Sequence, residues 1–262
     1  MKITLGAVVI LLCFVSCGTE GNVADCDAPA PGIPCSERTP DEEARLALDR
    51  EDFETAVMIL SELVEEEPEN YQRYTVLSAA MAGQAGLDIF NLAKGQFAGD
   101  GGILSLVGSF LPDPTSPTYS TSVTTMDDAV SLLESIPADK RSATSAEKYA
   151  SSAAFQLTLY QTSYSIMYLN QFTQSVDPEE VDVTNLDTMT EDDAEIIVES
   201  LAQAAANGAA GGDPEVQAKI EEALAELGTD DGTSKKEKLI AYYRKEKGLA
   251  PEDPLPTPTP ES

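Results

Sequence analysis

The sequence contains no histidine and no tryptophan, and its 16 lysine and arginine residues stand against 46 aspartate and glutamate residues. Without histidine, the chain has no histidine-based catalytic triad, no histidine metal ligand and no imidazole to act as a general base near neutral pH. Carboxylate pairs, tyrosine, lysine or a serine–lysine pair remain as catalytic groups. The formal net charge of −30 repels nucleic acid, so nucleic-acid binding is excluded.

Cysteine is also scarce, with four residues in the chain. Two of them, Cys26 and Cys35, lie in a proline-containing stretch and are expected to pair in an oxidising compartment. On the chain-entropy model, closing such a loop contributes on the order of 3 kcal/mol, and less where the surrounding chain does not fold. A redox role is the alternative, although the spacing is not the Cys-x-x-Cys of redox motifs.

The N-terminus has the pattern of a removable leader. Lys2 provides a positive start, residues 3–15 are almost wholly apolar, and Ser16 is small. These features predict a signal peptide over residues 1–16. A helix over residues 3–16 would be about 21 Å long, whereas the bilayer core is roughly 30 Å thick, so a permanent membrane span is disfavoured.

Residues 14–17, Phe-Val-Ser-Cys, resemble the lipobox of bacterial lipoproteins, with Phe14 where that motif most often has leucine. The resemblance implies that Cys17 becomes the first mature residue, with diacylglycerol on its sulfur and usually a further acyl chain, such as palmitate, on its amine. Two or more chains give stable membrane anchoring. Gly18, in place of aspartate, implies the outer membrane by the enterobacterial sorting rule. The alternative is a secreted protein cut elsewhere, for instance after Ala24.

Composition divides the remainder of the chain into three parts. Residues 17–40 combine the lipidated cysteine with a flexible linker rich in glycine, proline, aspartate and alanine. Residues 41–248 carry apolar residues at steps of three and four, which predict an all-α domain of packed antiparallel helical hairpins. Residues 249–262 contain five prolines and are predicted to be a disordered tail.

Within the helical domain, amphipathic patterns predict a series of helices separated by proline, glycine or polar breaks. An insertion of low order is expected over residues 99–125, with an apolar segment at 103–111. That segment either packs across the helical core or covers a groove, a partner or the bilayer. Helices are predicted over residues 53–66, 87–93, 126–136 and 234–247, and one lies within 149–176. Others are predicted to begin at residue 41, near 71 and at 191, and a further helix begins at Pro214 and covers 216–227.

Residues 149–176 contain no charged side chain, which predicts a largely covered central helix. Tyr160, Tyr164, Tyr168 and Phe172 form an aromatic stripe at four-residue steps. Tyrosines in such a stripe are expected to pack in the core with each hydroxyl at an edge. A ligand-binding surface formed by Tyr160, Tyr164 and Tyr168 is the alternative.

Residues 41–94 resemble the tetratricopeptide repeat, in which antiparallel helices alternate with tight turns and a proline closes the second helix. The period is roughly 34 residues in that family. A generic helical hairpin is the alternative, and Phe90 departs from the family, which has alanine there. The matching residues are Asp52, Phe53, Ala56, Leu60, Leu63, Pro68, Tyr74, Leu77 and Ser78.

This resemblance implies a binding surface on the inner face of the third helix, including Thr75, Ala79 and Ala82. Repeats of this family often grip a peptide C-terminus with lysine and asparagine, but the matching face here has no cation. An apolar or backbone surface is therefore the expected ligand.

Two charged segments follow. Residues 177–193 are strongly acidic, but they lack the loop spacing of the helix–loop–helix calcium motif, so a solvated turn and no metal site are predicted. Residues 234–247 carry six basic residues and two acidic ones on an amphipathic pattern. That helix is expected to dock on the acidic body, or alternatively to lie on anionic lipid.

Together these features predict a lipid-anchored, non-catalytic helical module of the cell envelope, at the periplasmic or surface face. It is expected to bind a protein partner or an apolar ligand, without a cofactor. In architecture it resembles the periplasmic helical component of some TRAP-type solute transporters, which implies an accessory role in solute uptake or envelope assembly. The alternatives are a carboxylate-dependent enzyme acting on envelope polymers and a purely structural spacer.

Overall fold

A computed structural model of the chain describes residues 38–87, 110–142, 145–173, 185–208, 214–228, 233–246 and 248. Over these residues the regular secondary structure is helical, with no strand, which confirms the predicted all-α class. The α-helices are α1 (Pro40–Asp49), α2 (Phe53–Glu66), α3 (Tyr71–Gln84), α4 (Tyr119–Glu134), α5 (Ala138–Arg141), α6 (Ala150–Asn170), α7 (Glu191–Gly208), α8 (Pro214–Leu227) and α9 (Lys235–Glu246), with a 3-10 turn at Leu186–Thr188.

Helix boundaries follow local signals in the sequence. Asp52 caps α2 by accepting a hydrogen bond from the Thr55 amide at 3.2 Å, and Pro68 follows its C-terminus. At the start of α7, the Thr190 amide donates to Asp193 Oδ2 at 2.8 Å while the Asp193 amide donates to Thr190 Oγ1 at 3.2 Å. This reciprocal pair satisfies amides that the first turn of a helix leaves unpaired.

The helices pack mainly on their neighbours in the chain. α1 packs on α2, α2 on α3, α3 on α4, α4 on α6, and α6 on α7, while α7, α8 and α9 pack on one another. The uncharged helix α6 also contacts α3 and α5, and most of its residues are buried. The predicted central helix is therefore confirmed, although it ends at Asn170.

Most of the polar side chains buried along α6 are uncharged and hydrogen-bonded, whereas the buried Ser163 hydroxyl has no partner among the described residues. The hydroxyls of Thr158, Thr162 and Ser165 each donate to the carbonyl four residues earlier, at 2.8 to 3.0 Å. Gln161 donates to Glu134 Oε1 at 2.8 Å and accepts from Asn207 Nδ2 at 3.0 Å. This amide therefore links α4, α6 and α7.

The basic helix α9 docks on the acidic helices beside it. Leu239, Tyr242 and Tyr243 are buried in the cluster that α9 shares with α7 and α8. The amides of Lys235 and Lys236 donate to the Glu191 carboxylate at 2.7 and 3.2 Å. Lys235 Nζ also pairs with Glu195, and Lys245 with Glu226. This arrangement confirms docking on the acidic body.

One predicted boundary was wrong. α4 begins at Tyr119, whereas residues 99–125 were expected to be of low order and a helix was expected only from 126. Tyr119 and Val123 are buried, and the Tyr119 hydroxyl donates to the Met167 carbonyl at 3.1 Å. These tertiary contacts hold a serine- and threonine-rich segment in a helix despite its weak helix propensity.

Other expectations fall partly outside the described residues. Of the helix predicted over 87–93, the described residues include Leu87 alone, which is buried. Most of the apolar segment 103–111 also lies outside the described residues. Its last two residues are described: Phe110 is 1% exposed in the cluster formed by α3, α4 and α6, and Leu111 packs beside it. This end of the segment therefore lies in the core.

A close approach between α2 and α3 depends on glycine. A Cβ atom placed at Gly83 would lie 2.4 Å from Cε1 of the Phe53 ring, well inside van der Waals contact. The absence of a side chain at the buried Gly83 of α3 therefore allows the Phe53 ring of α2 to pack directly against the α3 backbone.

The Gly83→Ala variant is expected to lower the free energy of unfolding by about 1–3 kcal/mol, because the forced ring displacement outweighs the better helix propensity of alanine. Urea denaturation followed by circular dichroism measures the change. In a Phe53→Ala background, the same substitution is expected to be neutral or to stabilise by up to about 1 kcal/mol. An equal loss in both backgrounds would contradict the steric explanation.

Candidate functional site

A groove lies between the α2–α3 connection and the segment that leads into α6. It encloses about 900 Å³, and its lining includes Tyr71, Tyr149, Lys140, Glu69 and Glu147. We call this surface the tyrosine groove. Its walls come from parts of the chain far apart in sequence, and they meet because α3 and α6 are both packed against α4.

Aromatic rings in the tyrosine groove are fixed by contacts with one another. The Tyr71 ring centroid lies 5.4 Å from that of Tyr74 and 6.3 Å from that of Tyr149, at tilts of 59° and 51°. Such tilted pairs are a favoured aromatic geometry. Lys140 Nζ lies 4.9 Å from the Tyr71 ring centroid, in cation–π range. All three rings are half-buried; Tyr71 and Tyr149 line the groove as a fixed, accessible apolar surface, and Tyr74 contacts Tyr71 from outside the lining.

Ion pairing holds the α2–α3 connection beside the groove. Arg73 pairs with Asp41 through two hydrogen bonds, Nη2 to Oδ2 at 2.7 Å and Nε to Oδ1 at 3.2 Å. Its Nη1 donates to the Leu63 carbonyl at 3.1 Å and lies 3.2 Å from Glu67 Oε2. The Tyr74 hydroxyl donates to the Pro68 carbonyl at 3.0 Å. One half-buried guanidinium thereby ties α1, α2 and α3 together.

The tyrosine groove carries charge of both signs at its rim. Desolvation, and then the negative charge of Glu147, raise the pKa of Tyr149, so its hydroxyl stays protonated near neutral pH. The side chains of Glu69 and Glu147 make no hydrogen bond or ion pair with another residue in the described part of the chain. Both carboxylates are exposed.

A second concave surface lies between α4 and α6 and encloses about 280 Å³. Asp127, Tyr164 and Tyr168 line it together with Ser120, Val123, Thr124 and Gln171. We call it the tyrosine–aspartate cleft. The Tyr164 and Tyr168 ring centroids are 5.8 Å apart, and the Tyr168 hydroxyl donates to Asp193 Oδ1 at 2.8 Å. The hydrogen bond fixes Tyr168 against the start of α7.

The electrostatics of the tyrosine–aspartate cleft are one-sided. Desolvation raises the pKa of Asp127, and the negative charges of Asp128 and Glu134 raise it further. Desolvation followed by the Asp127 charge raises the pKa of Tyr164 to about 12. For Tyr168, desolvation and then the Asp193 hydrogen bond raise the pKa to about 12. Among the described residues that line the cleft, none is basic.

Searches against models of protein families, curated proteins and solved structures found no match. Within the described ranges, no group of three or more histidine, cysteine, aspartate or glutamate side chains is placed to hold a metal ion. No helix among the described residues is long and apolar enough to cross a membrane. The two concave surfaces are the candidate binding sites of the described residues.

The structure separates the predicted tyrosine surface into two environments. Tyr160 is 1% exposed and lies in the core, so it belongs to no open surface. Tyr164 and Tyr168 are half-buried and line the tyrosine–aspartate cleft. Along the aromatic stripe, Tyr160 therefore lies in the core, whereas Tyr164 and Tyr168 line the cleft.

The predicted inner face of α3 is covered rather than open. Thr75 and Ala82 are 5% and 0% exposed, and only Ala79 is half-buried. The cause is that α4 and α6 pack on α3, and Ser78 Oγ reaches Gln156 Oε1 of α6 at 3.4 Å. Cys17, Cys26 and Cys35 lie outside the described residues.

Sequence patterns did not single out the residues of the tyrosine groove. Tyr71 and Tyr149 stand at or beside helix starts, and Lys140 belongs to the single-turn helix α5. No periodic pattern connects them. Asp127 was also missed, because one acidic residue on an amphipathic helix has the pattern of an ordinary solvated face.

Proposed function

We propose that the protein is a lipid-anchored, non-catalytic module of the cell envelope that holds a protein partner in the tyrosine groove. The observation that carries the proposal is the set of half-buried, mutually fixed rings of Tyr71, Tyr74 and Tyr149 beside an open groove. Tyrosine is enriched at protein interfaces because it offers a large apolar area with a polar tip and few rotatable bonds. Rings that are already fixed lose little conformational entropy on binding.

The anchor is supported by the sequence of the N-terminal region. The apolar run, the small Ser16 and the lipobox-like residues 14–17 together favour acylation of Cys17. Residues 18–40 then provide a spacer, and the net charge of −30 repels an anionic bilayer surface. A domain tethered in this way is held among neighbouring envelope proteins, with an outer-membrane location preferred.

Site-specific photocrosslinking in intact cells tests the binding role. A photoreactive amino acid at Gln72, which is exposed and lines the groove, is expected to yield a discrete crosslinked protein. Adding Tyr71→Ala and Tyr149→Ala is expected to reduce the yield about tenfold or more, because central aromatic residues dominate interface energies. Immunoblotting with an antibody against this protein measures the yield of the crosslinked product, and mass spectrometry identifies the partner in it.

The matched control places the same photoreactive residue at Glu222, which is exposed on α8 and does not line the groove. Its product is expected to be absent or unaffected by the tyrosine substitutions. Two results would reject the groove as the binding surface. One is the same crosslinked species from both positions, and the other is a yield from position 72 that is unchanged by Tyr71→Ala and Tyr149→Ala.

A carboxylate-dependent enzyme is the second function to test, because Glu67, Glu69 and Glu147 line one groove. Turnover of an envelope polymer that is abolished by Glu147→Gln would replace the binding proposal with catalysis. A spacer would give neither turnover nor a groove-dependent crosslink.

A further inference from the structure

The tyrosine–aspartate cleft offers a chemistry different from that of the tyrosine groove. One carboxylate, Asp127, stands beside two neutral aromatic rings, Tyr164 and Tyr168. Further negative charge lies close by at Asp128, Glu134 and Asp193. The described lining holds no cation to balance this charge.

Each element of this arrangement favours a positively charged ligand. The raised pKa of Asp127 shows that its surroundings disfavour a negative charge that has no partner, and a bound cation would relieve this. The tyrosine hydroxyls stay protonated at neutral pH because their pKa values are about 12, so the rings remain neutral. The faces of neutral tyrosine rings attract cations.

The shape and the donor set distinguish an organic cation from a metal ion. A volume of about 280 Å³ is at the small end of ligand pockets and fits a compact group rather than a folded chain. Asp127 is the single carboxylate in the lining, whereas hard metal ions take several oxygen ligands. Aromatic rings contribute nothing to metal coordination but are the usual surroundings of alkylammonium groups.

We propose that the tyrosine–aspartate cleft binds an alkylammonium group, with Asp127 as its charge partner and the rings of Tyr164 and Tyr168 against its carbon-bound hydrogens. Asp193 holds the Tyr168 hydroxyl at 2.8 Å, and its other carboxylate oxygen accepts a hydrogen bond from the Thr190 amide at 2.8 Å. The site is separate from the tyrosine groove and does not depend on the proposed partner binding.

Isothermal titration of the full-length Cys17→Ser protein with choline and with its neutral carbon isostere, 3,3-dimethylbutan-1-ol, tests the proposal. Choline is expected to bind saturably, and the isostere at least about tenfold more weakly, because only choline carries the charge. Equal binding of both compounds, or binding of neither choline nor a lysine derivative, would overturn the proposal.

Variants locate the binding within the cleft. Asp127→Asn is expected to weaken choline binding about tenfold or more, whereas Asp128→Asn removes the same charge outside the lining and is expected to change it less than about threefold. Tyr164→Leu is expected to weaken binding while Tyr164→Phe, which keeps the ring, preserves it. Circular dichroism confirms that each variant is folded. Equal effects of the two aspartate variants would show diffuse attraction to an acidic surface and contradict the site.

A third titrant separates the sources of the ammonium group. Nα-acetyl-lysine amide carries a primary ammonium on a peptide-like backbone, whereas choline represents a free small molecule. Tighter binding of the lysine derivative, still dependent on Asp127, would assign the ammonium to a polypeptide. Tighter binding of choline would assign it to a small organic cation.

Discussion

Replacing Cys17 with serine, in a protein whose residues 1–16 are exchanged for a leader that is cleaved without acylation, is expected to move the protein from the detergent phase to the aqueous phase when cells are extracted with a phase-separating detergent. The wild-type protein should partition into detergent because each buried acyl methylene contributes about 0.8 kcal/mol, and two or more chains give lasting attachment. The serine variant cannot form the thioether that starts lipoprotein maturation. The fraction of protein in each phase, measured by immunoblot, reports the change.

The matched control is Cys13→Ser, since Cys13 lies inside the predicted leader and would be removed with it. This variant is expected to partition like the wild type. If wild type, Cys13→Ser and Cys17→Ser all remained in the aqueous phase, the anchor and the envelope location argued from it would have to be abandoned.

The Tyr160→Ala variant is expected to lose about 3–5 kcal/mol of folding free energy, because it leaves a large cavity at a side chain that is 1% exposed. That loss is a large part of the roughly 5–15 kcal/mol by which domains are usually stable. Chemical denaturation of the purified protein, monitored by helical circular dichroism, measures it.

Tyr164→Ala is the comparison for this prediction, since Tyr164 stands four residues further along the same helix but is half-buried in the cleft. Its loss of stability is expected to be less than half as large, while its effect on alkylammonium binding is expected to be the greater. A reversal of these two stability effects would mean that the core lies on the other side of α6.

Local patterns were sufficient to predict most of the helices. Apolar spacing and a following proline placed α2 at the residues where it is observed, because these signals act within a few turns of the chain. The helix that begins at Tyr119 shows where prediction from local patterns fails. The segment ahead of residue 126 has a composition typical of loops, and its helix depends on a buried tyrosine whose partner, Met167, is distant in sequence.

The sites were less predictable than the helices, because they form where separate elements meet. The spacing of Tyr164 and Tyr168 marked them in the sequence, but Asp127 joins them only through the packing of α4 on α6. Conversely, Thr75 and Ala82 had the pattern of an open inner face, and the same packing covers them. The resemblance of residues 41–94 to a tetratricopeptide repeat stays a prediction, since residues 88–94 lie outside the described ranges.

We propose that this acidic helical domain is fixed to a membrane by lipid on Cys17. Mass spectrometry of the N-terminal tryptic peptide from envelope-purified protein tests it most directly. The expected peptide runs from Cys17 to Arg38 and carries diacylglycerol on the cysteine sulfur, with or without an acyl chain on its amine. An unmodified peptide that begins at Asp25, after cleavage at Ala24, would contradict it.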